Sequence, residues 1–217
     1  KLGTLGQIGP AKTPYEIIHI DSKSGLKKLG CKIRYLHLAI DSFTRFVWHT
    51  MSQGQEATDL IHLMKKVMAI QDPMLVVTDQ YSAMKSKELG RYLKSKGVRI
   101  MHVGTDHAAR NSMFERVNQT LTEKIRIKVL ELKEMKVNQA VSVSIDQVVQ
   151  EYNQSIHTST RYTPIYLMTG IDKEGIFTWR LIHFQNLCGT QCHRDKKQPI
   201  SFILCRKSWR FRTRCWW

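Results

Sequence analysis

The hydrophobic pattern of this chain holds a strand period through three runs and then changes, and that change constrains the fold more than any other feature. Residues 15–51 carry three short runs rich in β-branched and aromatic residues, at 15–21, 32–40 and 45–51, separated by brief polar segments. Such runs read as strands, and short turns between them make an antiparallel meander. After Asp59 the spacing becomes helical, with Leu60, Met64, Val67 and Met68, up to Pro73. A fourth strand is expected at 74–78, a helix over about 85–96 that stops at Gly97, and a fifth strand at 98–103. A long helix follows over about 111–133 with Phe114, Val117, Leu121, Ile125 and Val129 on one stripe, then a last helix over about 138–153. The order β-β-β-α-β-α-β-α-α predicts an α/β domain. Its mixed five-stranded sheet, three antiparallel strands and then parallel ones, is flanked by helices.

In an open α/β sheet, active sites form beyond the carboxyl ends of parallel strands. Asp21 closes the run Ile17–Ile18–His19–Ile20, and Asp79 follows the run 74–78. The two are neighbours if the first strand pairs with the fourth. Glu115 lies in the first turns of the long helix, with thirty-five residues between it and Asp79. Two strands and a helix can bring three carboxylates together, and such a set suits Mg²⁺ or Mn²⁺, hard ions that prefer oxygen. With phosphate as substrate it is the ligand set for a two-metal in-line displacement, in which Asp21 is placed to bridge the ions. Taken singly, Asp21 reads equally as a turn residue and Glu115 as a helix-dipole acid. The constellation carries the metal reading. Asp41, before a tight turn, reads as a turn former, and His19 as a packing residue.

Charge supplies the partner. The chain has 34 Lys and Arg against 18 Asp and Glu, a formal net charge of +16. A globular chain so basic points to a polyanion, usually nucleic acid. The excess is uneven: residues 15–170 hold 22 basic and 15 acidic residues, residues 176–217 nine and one. Three parts are expected: a Pro- and Gly-bearing linker at 1–14, a core at 15–170, and a basic, irregular tail at 171–217. No apolar stretch has the length of a membrane span, and the first fourteen residues do not read as a signal peptide. Five scattered Cys, an odd number, point to a reducing, intracellular setting.

Five strings carry a resemblance, in order: His19–Ile20–Asp21, YLHLAIDSFTRFVW (35–48), VVTDQYSAM (76–84), NSMFERVNQTL (111–121) and YNQSIHTSTRYTPIYLMTG (152–170). Over about residues 15–170 the chain resembles the catalytic core of a retroviral or LTR-retrotransposon integrase, of the DDE type within the RNase H-like nucleotidyltransferase superfamily. The resemblance implies a polynucleotidyl transferase and endonuclease that trims DNA 3′ ends with water and joins the freed 3′-hydroxyl to target DNA. It implies Asp21, Asp79 and Glu115 as catalytic metal ligands, two Mg²⁺ or Mn²⁺ ions, DNA ends and target DNA as partners, a homo-oligomer without membrane, and a nuclear or retroelement-particle location. No zinc is expected: nothing before residue 21 contains Cys, and Cys188, Cys192 and His193 lack a second ligand pair. Where the family carries glycine, two residues after the second aspartate and one after the asparagine, this chain has Tyr81 and Ser112. The tail does not resemble the small barrel that follows such cores.

Candidate DNA contacts surround the triad. Asn118 and Gln119 stand at i+3 and i+4 from Glu115. Asn111 stands at the helix entrance, where backbone N–H groups favour phosphate, or serves as its cap. Gln80 and Tyr81 follow Asp79 in the adjoining turn. Two classes of function fit: an active integrase core, for which the intact triad speaks, and a catalytically inactive, element-derived nucleic-acid-binding protein that keeps the fold, for which Tyr81 and Ser112 speak. A nuclease of the same fold without joining activity is a weaker third.

Overall fold

In a computed structural model, residues 10–24, 26, 31–79, 86–103, 108–132 and 134–171 are described. Five strands form one sheet: β1 (Ile17–Ser24), β2 (Tyr35–Asp41), β3 (Val47–Ser52), β4 (Leu75–Asp79) and β5 (Arg99–Val103). Their order across the sheet is β3-β2-β1-β4-β5. β1 pairs antiparallel with β2 and parallel with β4, β2 pairs antiparallel with β3, and β4 pairs parallel with β5. The expected mixed sheet is present, and the first strand does pair with the fourth.

Five helices accompany the sheet: α1 (Ala57–Val67), α2 (Lys87–Ser95), α3 (Ala108–Glu131), α4 (Val137–Gln154) and α5 (Pro164–Thr169). Strand alternation sorts the side chains into two cores. Ile18, Ile20, Ala39 and Val76 pack with Leu60, Leu63, Met64 and Val67 of α1 and Leu89 and Leu93 of α2. Leu36, Leu38 and Ile40 pack on the other face with Phe114, Val117, Leu121 and Ile125 of α3 and Val141, Ile145, Val148 and Tyr152 of α4. Each buried Leu or Ile contributes about 1.5–3 kcal/mol by leaving water. In β4, Val76, Val77 and Thr78 are all buried, as expected of a parallel strand covered on both faces.

Local signals set the ends. At the start of α1 the Glu56 N–H donates to Asp59 Oδ2 over 3.1 Å. Ser86 Oγ accepts from the Leu89 N–H at the start of α2. At its end Gly97 has φ +71°, and the N–H groups of Val98 and Gly97 donate to the Leu93 and Lys94 carbonyls. This closure needs a left-handed residue, which glycine supplies without strain. α1 ends at Val67, six residues before Pro73, so the proline does not itself stop the helix. α5 was not anticipated, although Thr163 caps it, Pro164 opens it and Gly170 closes it at φ +72°. The outer edge of β3 is covered: Asn153 of α4 takes both the N–H and the carbonyl of Val47, and Lys66 Nζ donates to the His49 carbonyl. An edge so occupied is closed to strand addition there.

Candidate active site

β1 sits mid-sheet, and alternation along it decides which side chains meet α3. Ile18 and Ile20 enter the α1 core. His19 and Asp21 therefore face the other way. The His19 ring stacks on Phe114 with centroids 3.6 Å apart and 21° between planes. Asp21 Oδ2 accepts from Asn118 Nδ2 over 2.5 Å. The spacings match: two residues along a strand and four along a helix both span roughly 6 Å. Two rungs, 19 to 114 and 21 to 118, thus dock α3 along β1. Glu115 lies between them on the helix, exposed to solvent. His19 is a packing residue, as expected, and its packing helps to place Glu115.

The second oxygen of Asp21, Oδ1, accepts from the Ser22 N–H over 2.7 Å. Among the described residues each carboxylate oxygen thus accepts one N–H, one fewer than its two lone pairs allow. The last β1–β4 pair is Ile20 with Thr78, so Asp21 and Asp79 are the next residues on two adjacent parallel strands. β1 continues three residues further along β2, to Ser24, so Asp21 marks the end of pairing with β4 and not the end of the strand. Thr78, just before Asp79, shares a 2.8 Å hydrogen bond between its Oγ1 and Nδ1 of His102 on β5. The side chain of Asp79 lies outside the described residues. Among the described residues no group of three metal-ligating side chains is gathered.

Asn118 departs from expectation. It does not project beside Glu115: it is 3% exposed and belongs to the buried stripe with Phe114, Val117 and Leu121. Its Nδ2 goes to Asp21, and its Oδ1 is buried without a hydrogen-bond partner. Gln119 is exposed and donates along the helix to Glu123 Oε1 over 2.9 Å. α3 begins at Ala108, so Asn111 stands one turn inside the helix, neither at its entrance nor its cap. The Asn111 side chain, like Gln80 and Tyr81, lies outside the described residues, as does the tail beyond residue 171. Asp41 is the turn former expected: fully buried, its Oδ1 accepts from Phe43 N–H, Thr44 N–H and Thr44 Oγ1, and its Oδ2 from Tyr15 N–H. Burial pushes its carboxyl up, against the lowering effect of these donors.

A cleft of about 420 Å³ lies elsewhere, at β3 between α1 and α4, lined among others by Trp48, His49, Lys66 and Asp146. None of the expected site residues lines it. Chemistry on a polymer needs an open surface, so the carboxyl end of β1 and β4 is the better candidate.

Solved structures with this arrangement exist. The magnesium-bound catalytic core domain of HTLV-2 integrase superposes with a TM-score of 0.59 at 14% identity, covering 72% of this chain and 97% of that one. The fold is that of a retroviral integrase catalytic core. The catalytic core of BIV integrase gives 0.57 at 11% identity over 71% and 93% of the two chains. A chain of the simian T-cell lymphotropic virus intasome, solved with the PP2A regulatory subunit B56γ, gives 0.62 at 20% identity over 75% and 57%. In sequence the chain is similar to the Pro-Pol polyproteins of feline foamy virus, 26% identical over 140 residues, and simian foamy virus type 3, 28% over 146 residues. These matches cover 64% and 66% of the chain and 12% of each polyprotein. The Pol polyprotein of the Drosophila melanogaster transposon opus is 27% identical over 209 residues, 87% of this chain and 19% of that one. The chain thus spans under a fifth of the curated relatives it matches. No family model matches it. Among the described residues no helix is long and apolar enough to cross a membrane.

Proposed function

We propose that this chain is the catalytic core of a mobile-element integrase, cutting and joining DNA ends with the help of Mg²⁺ or Mn²⁺. The observation that carries this reading is the setting of Asp21. Its two oxygens are aimed by separate N–H donors at the point where the central strand stops pairing with β4. Asp79 follows on the neighbouring parallel strand, and Glu115 lies on the helix docked against β1.

The residues fit an oxygen-preferring cation. Among the described residues each Asp21 oxygen accepts a single N–H, Glu115 presents a solvent-facing carboxylate, and Asn118 Oδ1 is a buried acceptor without partner. Asp21, Asp79 and Glu115 would hold Mg²⁺ or Mn²⁺, which would supply Lewis acidity to the oxygens of the scissile phosphodiester and a lowered pKa for the attacking hydroxyl. The chain's own residues do the positioning. Asn118 and the Ser22 N–H fix the Asp21 carboxylate, and the His19–Phe114 stack sets where Glu115 stands. Exposed Lys124 and Arg126 on α3 add positive charge for a DNA backbone. In the first reaction water attacks phosphorus and a DNA 3′-hydroxyl leaves; in the second that hydroxyl attacks a target phosphodiester and displaces another 3′-oxygen. A homo-oligomer on DNA accords with neighbours solved as dimers, trimers and an intasome; the nucleus or a retroelement particle is the location that goes with this proposed role.

A catalytically inactive, DNA-binding descendant is the second reading. It is favoured by Tyr81 and Ser112, which stand where the family carries backbone-freeing glycines. A strand-transfer assay on labelled duplex DNA, with and without Mg²⁺, decides between them. Joined product that needs Mg²⁺ and vanishes in Asp21→Asn and Asp79→Asn is expected. Absence of product, with DNA binding retained, would favour the inactive descendant.

A further inference from the structure

His37 is completely buried in the middle of β2 and has no part in the chemistry above. Its Nδ1 lies 2.7 Å from Ser22 Oγ on β1, and its Nε2 lies 2.7 Å from Ser52 Oγ on β3. One ring therefore ties three strands together. The direction of this chain of bonds follows from proton counting. Ser52 Oγ–H donates to the Gly54 carbonyl. A hydroxyl has one proton, so Ser52 can only accept from His37, and Nε2 carries the hydrogen. In a neutral ring Nδ1 is then the acceptor, and the Ser22 hydroxyl donates to it. Burial lowers the His37 pKa, against weaker raising influences from Asp59, the Gly54 carbonyl and Asp21, in keeping with a neutral ring.

The chain of bonds starts next to the candidate active site. Ser22 follows Asp21, and its N–H is the donor to Asp21 Oδ1. Here β1 has lost β4 as a partner, and the ladder to β2 alone pairs residues 21–24. The hydroxyl tie to His37 adds a second restraint on Ser22, on the face opposite Asp21. We propose that His37 is a positioning residue for Asp21: as the neutral Nε2–H tautomer it fixes Ser22 and so aims the Ser22 N–H at Asp21 Oδ1. This rests on the reading of Asp21 as a cation ligand. Groups one shell behind a ligand set its orientation, and their removal weakens metal binding roughly 10–100-fold.

The test uses the full chain. Its melting temperature is followed against Mg²⁺ concentration for the wild type, Ser22→Ala, His37→Leu, His37→Asn and Asp21→Asn. The tautomer is read from two-bond ¹H–¹⁵N correlations of ¹⁵N-histidine-labelled protein. The expected spectrum has an unprotonated Nδ1 and a protonated Nε2 for His37. Ser22→Ala and His37→Leu should raise the Mg²⁺ concentration for half-maximal stabilisation severalfold, up to roughly the tenfold seen when a ligand loses its direct partner, since both keep the Ser22 N–H. His37→Asn, which keeps an acceptor for Ser22, should recover part of that loss. If His37→Leu does not fold, Ser22→Ala carries the test, since it removes a single partly exposed hydroxyl. A proton on Nδ1, or an unchanged Mg²⁺ response in Ser22→Ala while Asp21→Asn abolishes it, would overturn the positioning role and leave the site intact. Mg²⁺ stabilisation that survives Asp21→Asn would instead bring down the reading of the site itself.

Discussion

Asp21 and Asp41 stand three residues apart in register on adjacent antiparallel strands, and they do opposite things. Asp41 pairs across from Ile18, Asp21 from Leu38. Asp41 is fully buried and accepts four hydrogen bonds, from Tyr15 N–H, Phe43 N–H, Thr44 N–H and Thr44 Oγ1. Three of these donors reach Oδ1 and one reaches Oδ2, all out of solvent, and Asp41 closes the β2–β3 turn and pins the entry to β1. Asp21 is partly exposed and accepts two bonds, one per oxygen. It is oriented without being saturated. The difference separates a carboxylate that builds the fold from one left available to a ligand: both are fixed, but only one is reached by solvent.

The largest effect that can break this comparison is on turnover. Asp21→Asn should cut strand transfer roughly a thousandfold or more, the scale of losing a group that acts on the transition state, with the melting temperature nearly unchanged. A variant that keeps most of its joining activity would remove Asp21 from the chemistry. The converse substitution, Asp41→Ala, should act on stability. It strands four donors in a buried turn, and each unsatisfied buried group costs about 1–3 kcal/mol, so a loss of about 3 kcal/mol or more is expected. Denaturant melts measure it. A loss below about 1 kcal/mol would mean that water replaces the carboxylate and that the turn does not depend on it.

How far this contrast was legible in sequence follows from the physics of each contact. Strand and helix order could be read because hydrophobic period reports which face is covered, whereas the β1–β4 pairing stands in sequence only as a condition that the sheet order meets. Asp41 was recognisable as a turn former because its partners Phe43 and Thr44 lie two and three residues away. The fourth donor, Tyr15, lies 26 residues away and was not. The buried chain through His37 was hidden for the same reason. Its partners Ser22 and Ser52 each lie 15 residues from the ring and meet it only once register is set. Asn118 was misplaced by a rotation about the helix axis. Counted from Glu115 it shares a face with Gln119; counted from Phe114 it falls at i+4 on the buried stripe, and the second count holds. Ser22–Ser24 looked like a connection because they are polar, but β2 offers them a ladder. The Thr163–Pro164 start and Gly170 stop of α5 were written in the chain and went unread.

Asn118 sharpens the comparison at an intermediate scale. Asn118→Ala removes the donor on Asp21 Oδ2 and leaves that carboxylate held from one side only. The Mg²⁺ concentration for half-maximal strand transfer should rise roughly tenfold, as for other groups that orient a metal ligand, with about 1 kcal/mol lost in stability. Asn118→Leu fills the buried position without the donor. It should restore stability but not the Mg²⁺ response, so the two variants separate packing from orientation. Recovery of both in Asn118→Leu would show that the residue matters only as core.

The smallest effect is the pH dependence carried by Asp41. Burial raises its carboxyl above the ordinary aspartate value of 3.8, the donors lowering it less than burial raises it. A raised folded-state pKa means that the native chain binds a proton more tightly than the unfolded one. Stability from this group is therefore full below pH 3.8 and falls as pH rises through the folded value, by at most about 1.4 kcal/mol per pH unit. Asp41→Asn cannot titrate, and its amide must also set an N–H against one of the donors. Denaturant melts of both proteins between pH 3 and 7, compared as a difference, isolate the residue from the other carboxylates. The stability advantage of the wild type over Asp41→Asn should shrink as pH rises through this window. An advantage that grows instead would mean that the four donors outweigh burial and hold Asp41 as an anion.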